Sequence, residues 1–279
     1  MKRQKPSGTG EPPREARRLR SPATGGQATR YKPSERGGPP RESRRLFGTD
    51  GVRGIPGRTP LTRREVRALG CAAARAFLSR RPASRTGSNG HAPIAVLGRD
   101  TRGSGTWLCR ALIEGFADAG CATIDAGVIP TPAVSYLTPR RGAILGAVVS
   151  ASHNPPEFNG IKFFDASGLK ASLKVEEEVE RSLLAGVRGP SKKALASRLA
   201  DHSAAKDYLD FLRSTFPATR DLRGLRLVVD GAHGAASRLA PDFFRSLGAE
   251  VFALGCSPDG FNINRGCGAL ETDLMQIGR

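Results

Sequence analysis

No stretch of this 279-residue chain approaches the roughly 20 consecutive apolar residues that a membrane-spanning helix needs. No basic start followed by an apolar core marks a secretory leader either. With neither a span nor an export signal to read, a cytoplasmic protein is expected. Cysteine is scarce: the five residues (71, 109, 121, 256 and 267) are odd in number, and none forms a C-x-x-C pair. That pattern reads as reduced, mostly structural thiols of a cytosolic protein. The nucleophile-elbow pattern G-x-S-x-G is missing as well.

What the chain has in excess is positive charge, a net of +18, but the excess is unevenly spread. Residues 1–45 hold 13 Lys/Arg against 4 Asp/Glu, so half the net charge sits in a sixth of the length. Before Leu46 the only large apolar or aromatic side chains are Met1, Leu19 and Tyr31. Such a segment buries too little surface to offset its chain entropy and is expected to be a disordered basic tail. It could meet nucleic acid weakly through phosphates, yet it has no interleaved aromatics for base stacking. No specific nucleic-acid partner is expected.

From Leu46 onward the pattern is that of an α/β protein. Thr62 offers an N-cap, followed by Val66, Leu69, Ala73 and Phe77 at helical spacing. A strand at 93–97, a polar glycine loop at 98–105, a helix through Trp107–Phe116 and a strand at 122–126 form one β-loop-α-β unit. The plan recurs from Leu225, with a strand at 227–229, the loop Asp230–Gly234, a helix over 239–247 and a strand at 251–254. Each unit implies parallel pairing through a right-handed crossover. The expected organisation is two related α/β domains with mixed sheets, the second incomplete, over residues 46–200 and 201–279. Residues 185–205, rich in Lys, Arg, Ser and Gly, read as the linker, and 80–92 as a surface loop. Asn159-Gly160 reads as a two-residue hairpin turn.

Between the two units lies the most informative stretch. Ala143–Val149 is an apolar strand, followed by Ser150-Ala151-Ser152-His153-Asn154-Pro155 and then Asn159-Gly160-Ile161-Lys162-Phe163-Phe164. In open α/β sheets ligands bind beyond the carboxyl ends of strands, which makes this polar cluster a candidate site. A Ser152/His153 hydrolase is disfavoured, since consecutive residues of an extended segment point opposite ways. Phosphoryl chemistry fits better. Arg53, Arg99, Arg102, His153 and Lys162 gather at predicted strand ends, and a phosphorylated serine needs such donors for its charge of about −1.5 to −2.

The Ser150–Pro155 and Asn159–Phe164 segments closely resemble the phosphoserine loop of the α-D-phosphohexomutases. Four further segments are similar to the branch of that family acting on glucosamine phosphate: Phe47–Gly54, Gly98–Arg102, Pro130–Pro132 with Tyr136–Thr138, and Pro258–Asn264. The resemblance implies a phosphorylated amino sugar as substrate. Glucosamine 6-phosphate and glucosamine 1-phosphate would be interconverted through a 1,6-bisphosphate, which also serves as activator. It makes Ser152 the phosphoserine, with Lys162 and Arg53 assisting proton transfer; an arginine rarely gives up its proton, so electrostatic stabilisation is the safer role for Arg53. Thr49, Arg99, Arg102, His153 and Asn154 would bind substrate or phosphate. Mg²⁺ would bridge the serine phosphate and an Asp-x-Asp-x-Asp-Arg loop, and a homodimer is left open. That aspartate loop is absent from this sequence, so an N-terminal portion that is inactive alone is expected. The alternatives are a phosphomannomutase or phosphoglucomutase, a non-catalytic phosphosugar-binding protein, and a nucleic-acid binder acting through residues 1–45.

Overall fold

The computed structural model describes residues 45–80, 92–186 and 198–270. The basic tail up to residue 44, most of the 80–92 loop, the middle of the expected linker and residues 271–279 lie outside the described residues. The elements run β1 (Val52–Gly54), α1 (Arg63–Leu78), β2 (Ile94–Arg99), α2 (Gly105–Asp118), β3 (Ala122–Val128), α3 (Thr131–Arg140), β4 (Leu145–Val149) and β5 (Asn159–Asp165). They continue with α4 (Leu173–Leu184), β6 (Arg198–Ala200), α5 (Ala204–Thr215), β7 (Arg226–Asp230), α6 (Leu239–Ser246) and β8 (Glu250–Leu254).

Six strands form a mixed sheet in the order β1-β5-β4-β2-β3-β6. The central pairs β4-β2 and β2-β3 are parallel, while β5 runs antiparallel to both β4 and β1. The apolar runs in β2 and β4 follow from burial on both faces. Ala95, Leu97, Leu145, Ala147 and Val149 meet α1, α2 and α4, whereas Val96 and Val148 meet α3 and α5 on the other side. Helix α1 starts where its sequence predicts. The Thr62 hydroxyl accepts from the Glu65 N–H and the Glu65 carboxylate accepts from the Thr62 N–H, a reciprocal cap that contributes about 1 kcal/mol.

The two β-loop-α-β units pair in parallel as expected, β2 with β3 and β7 with β8. Two local expectations differ. Asn159-Gly160 is not a hairpin turn: both residues are buried at the start of β5, and residues 150–158 make the connection from β4. The Asn159 side chain is spent on Ser104 Oγ (2.9 Å) and on the Gly160 N–H (2.8 Å) rather than on a turn. The stretch read as linker also carries structure. Arg198–Ala200 adds strand β6 beside β3, and α5 buries Ala204 and Tyr208 against the first sheet. Phe211 stacks on Tyr136 of α3 with centroids 4.1 Å apart, which holds α5 to that sheet.

Helices α1 and α2 cross where Gly70 and Gly115 replace side chains with backbone contact. A Cβ on Gly70 would sit 2.9 Å from the Leu112 carbonyl oxygen, and one on Gly115 would run into the Arg67 carbonyl. Gly115→Ala is therefore expected to lower unfolding stability by about 1–3 kcal/mol through overpacking. Urea denaturation checks this, and an unchanged midpoint would contradict the crossing.

Candidate functional site

The carboxyl ends of the parallel neighbours β2 and β4 open into two loops, Asp100–Ser104 and Ser150–Phe158. Ser152 sits at the corner of the second loop. It is exposed and has φ +55°, the left-handed region that a residue with a Cβ rarely adopts. Ala151 beside it is fully buried and fixes the loop root, and the Ser152 N–H donates to Ser150 Oγ at 3.0 Å. The hydroxyl is thus presented outward at the place where such sheets bind ligands.

Arg102 holds the corner in place. Its side chain is fully buried, and all five guanidinium N–H groups have an acceptor. Nε donates to Asp100 Oδ2 at 3.0 Å, Nη1 to the carbonyls of Pro155 and Phe158, and Nη2 to those of Ser152 (3.0 Å) and Asn154 (2.7 Å). Burial lowers the Arg102 pKa, and the Asp100 carboxylate opposes that shift. Asp100 in turn accepts from the Arg102 backbone N–H at 3.0 Å, so the buried charge pair is fully hydrogen-bonded. The expectation that Arg102 binds a substrate phosphate does not survive this geometry, because no donor remains to offer.

A second network borders the loop. Arg53 on β1 donates from Nη1 to Asn154 Oδ1 at 3.1 Å and pairs with Asp50 at 3.2 Å. Lys162 on β5 donates to Asp50 Oδ1 at 3.0 Å. The antiparallel β1-β5 register, with Arg53 opposite Gly160, brings these cations together. Gly160 is required there, since a Cβ would lie 2.9 Å from the carbonyl oxygens of both Ser150 and Val52. The Lys162 hydrogen bond and charge hold the Asp50 carboxyl below its ordinary value, and the charges of Arg53 and His153 add to this. Thr49 is exposed in the tight Gly48–Gly51 turn next to Asp50, and His153 is exposed beside Ser152.

Arg53, Lys162, His153, Asn154 and Thr49 are therefore gathered at or beside the Ser152 corner. Arg99 is not. It leaves β2 on the face that packs against α2 and pairs with Asp125 at 3.6 Å, in a cluster that also holds Arg198. The structure thus places Arg99 in an ion pair with Asp125 rather than in the Ser152 network. Two residues outside the expected set matter as much. Asp50 is the carboxylate that joins Lys162 to Arg53. Asn264, in the segment after β8, donates from Nδ2 to the carbonyls of Ser152 (2.9 Å) and Asn154 (3.0 Å). The signal for Asp50 was its position between the two glycines of a tight turn. Asn264 offered only membership of the Pro258–Asn264 motif. The buried thiols take no part: burial pushes Cys109 and Cys121 up to about 12, so they stay protonated.

Residues 44–187 match the family model described as phosphoglucomutase/phosphomannomutase, alpha/beta/alpha domain I. The chain is 48% identical over 229 residues to the phosphoglucosamine mutase of Thiobacillus denitrificans, covering 82% of this chain and 49% of that protein. It is 47% identical over 231 residues to the phosphoglucosamine mutase of Bordetella parapertussis, covering 82% of this chain and 51% of that one. Among solved structures, a phosphoglucomutase/phosphomannomutase family protein from Burkholderia thailandensis superposes with a TM-score of 0.63 at 27% identity, over 77% of this chain and 44% of that one. The chain spans about half the length of the curated relatives it matches.

Two outcomes follow from the geometry. Arg102→Lys leaves Asp100 and four carbonyls short of donors and is expected to cost about 3–5 kcal/mol, as for a broken buried ion pair; chemical denaturation measures it. The Asp50 carboxyl, followed by NMR, should titrate below its ordinary value near 3.8, and Lys162→Met should raise the midpoint. With the folded value depressed, the ion pair favours folding above the unfolded pKa, and this support is lost as pH falls through the folded midpoint.

Proposed function

The chain belongs to the phosphoglucomutase/phosphomannomutase family, and on that premise we propose that it carries the phosphoserine half of a phosphoglucosamine mutase. The observation that bears most weight is the outward Ser152 hydroxyl at a left-handed corner, with Arg53, Lys162 and His153 close by and the Asp50 carboxylate joining the first two. An excess of fixed positive charge suits a group that carries a phosphoryl in its resting state. The amino-sugar reading is supported by the named activity of the relatives that are 47–48% identical.

In this reading the phosphoryl group on Ser152 Oγ passes to the free hydroxyl of glucosamine 6-phosphate. The P–O bond to serine breaks, a P–O bond to the sugar oxygen forms, and the sugar hydroxyl loses a proton while the departing Ser152 Oγ gains one. The resulting 1,6-bisphosphate returns its 6-phosphoryl to Ser152 and leaves as glucosamine 1-phosphate. Lys162 moves the proton, while Arg53 stays charged and stabilises the transferring group. Thr49, His153 and Asn154 supply polar contacts around it. Asn154 is held for this by Arg53 at its side chain and by Arg102 and Asn264 at its carbonyl. Arg102 positions the loop and touches no substrate.

Magnesium is the metal that the family resemblance implies. Among the described residues no group of three His, Cys, Asp or Glu side chains could hold a metal ion, so these residues do not supply a complete site for it by themselves. No helix among them is long and apolar enough to cross a membrane.

Joined to the second half of the Thiobacillus denitrificans relative and incubated with glucosamine 1,6-bisphosphate and Mg²⁺, the chain should take one phosphoryl group on Ser152, seen by intact mass and peptide mapping, and none as Ser152→Ala. The same joined protein should convert glucosamine 6-phosphate faster than mannose or glucose 6-phosphate. If Ser152 stays unmodified in the joined protein, the chain is a phosphosugar binder and the mutase reading falls.

A further inference from the structure

Among the described residues, four that are not glycine have a positive φ: Ser152, Ala232, His233 and Asn264, at 55°, 51°, 50° and 60°. Such conformations cost of order 1–3 kcal/mol each and persist only where the surroundings enforce them. They lie in three segments far apart in sequence, yet hydrogen bonds and short stretches of backbone join them into one closed ring. The Asn264 amide donates to the Ser152 carbonyl at 2.9 Å, and the Asn264 backbone N–H donates to the Ala232 carbonyl at 2.9 Å. His233 follows Ala232, and its carbonyl accepts from Thr101 Oγ1. Thr101 precedes Arg102, whose Nη2 returns to the Ser152 carbonyl at 3.0 Å.

The arc of this ring that lies in the second unit is stiff. Asp230, the last residue of β7, accepts from the Ala232 N–H at 2.8 Å and from the Gly268 N–H at 2.6 Å, pinning both the residue that Asn264 bonds and the chain just after Asn264. His233 Nδ1 accepts from the Ser257 N–H at 3.1 Å. The Gly103 N–H donates to the Gly260 carbonyl at 2.8 Å, a second strap between the two loops. The Ser152 loop is thus gripped from two directions, by Arg102 from its own sheet and by Asn264 from the second unit.

We infer that Asn264 is a positioning residue for Ser152. Its amide, mounted on the β7-β8 unit, holds the serine corner in the left-handed conformation that turns the hydroxyl outward. The seating of the second unit is thereby read at the serine: when Asn264 is in place the corner is ordered, and when the unit shifts the corner loses half its carbonyl partners. The functional consequence rests on Ser152 being the phosphoryl carrier, whereas the structural coupling does not.

Amide hydrogen exchange of the purified chain separates the two. The reporters are the N–H groups of Asn154 and Phe158, which bond within the loop to the carbonyls of Ala151 and Pro155. Asn264→Asp keeps the size and left-handed tolerance of asparagine but has no side-chain N–H to donate. It should speed exchange at these amides by roughly tenfold or more, the scale of two lost hydrogen bonds, with the melting temperature little changed. Asn264→Gly, which keeps the backbone conformation alone, should do the same. Thr101→Val, which cuts the ring elsewhere, should also loosen the loop. Arg245→Ala on α6 should leave it at the wild-type rate. Wild-type exchange at Asn154 and Phe158 in Asn264→Asp, or faster exchange spread evenly over residues 226–268 with none specific to the loop, would overturn the inference. Neither outcome depends on phosphoryl transfer, so a failed mutase reading and a failed coupling are told apart.

Discussion

A buried guanidinium with all five of its N–H groups in use is the constraint on which this structure turns. Arg102 cannot leave its place without stranding Asp100 and the carbonyls of Ser152, Asn154, Pro155 and Phe158. Those carbonyls point inward because Arg102 draws them, and the Ser152 hydroxyl points outward as a result. Lysine could not replace it, since a point charge with three donors cannot span five acceptors in a planar fork. The Ser152 corner is therefore built from the inside: a charge taken out of water is neutralised by one carboxylate and by the backbone of the loop it shapes.

The outer layer of the site has a different logic. Arg53, Lys162 and His153 surround Asp50 on partly exposed ground, where a second anion would find surplus positive charge. Asp50 pulls the two longer cations together before any ligand arrives, which lowers the cost of ordering them. The separation of tasks is clear. A buried arginine sets the backbone, half-buried cations line the outer face, and the second unit closes the back of the loop through Asn264.

The sheet core and the location of the site were legible in the sequence because both depend on short-range patterns. Ala143–Val149 reads as a strand covered on both faces, and Ser150–Pro155 breaks that pattern with polar residues at its end. What was not legible depends on closure in space. Arg102 read as a phosphate-binding cation because its five acceptors lie on Asp100 and on a loop some fifty residues further along. Arg99 could have been placed from pattern alone: it is two residues beyond Leu97 in β2, and alternation puts both on the α2 face. Asn159-Gly160 misled because a dipeptide's turn preference is weaker than burial, a side-chain bond to Ser104 and a loop that must project Ser152. Asn264 carried no local signal, since its partners are 112 and 110 residues away.

The central claim is that the Ser152 corner is a seat for a phosphoryl group stabilised by neighbouring fixed cations. The most direct test is ³¹P NMR of the chain phosphorylated on Ser152, followed as a function of pH. The account predicts that the phosphate titrates below the value near 6 of a free phosphoserine, and that Lys162→Met moves it upward. A phosphate that titrates as it does in an unstructured peptide, unaffected by that substitution, would contradict it.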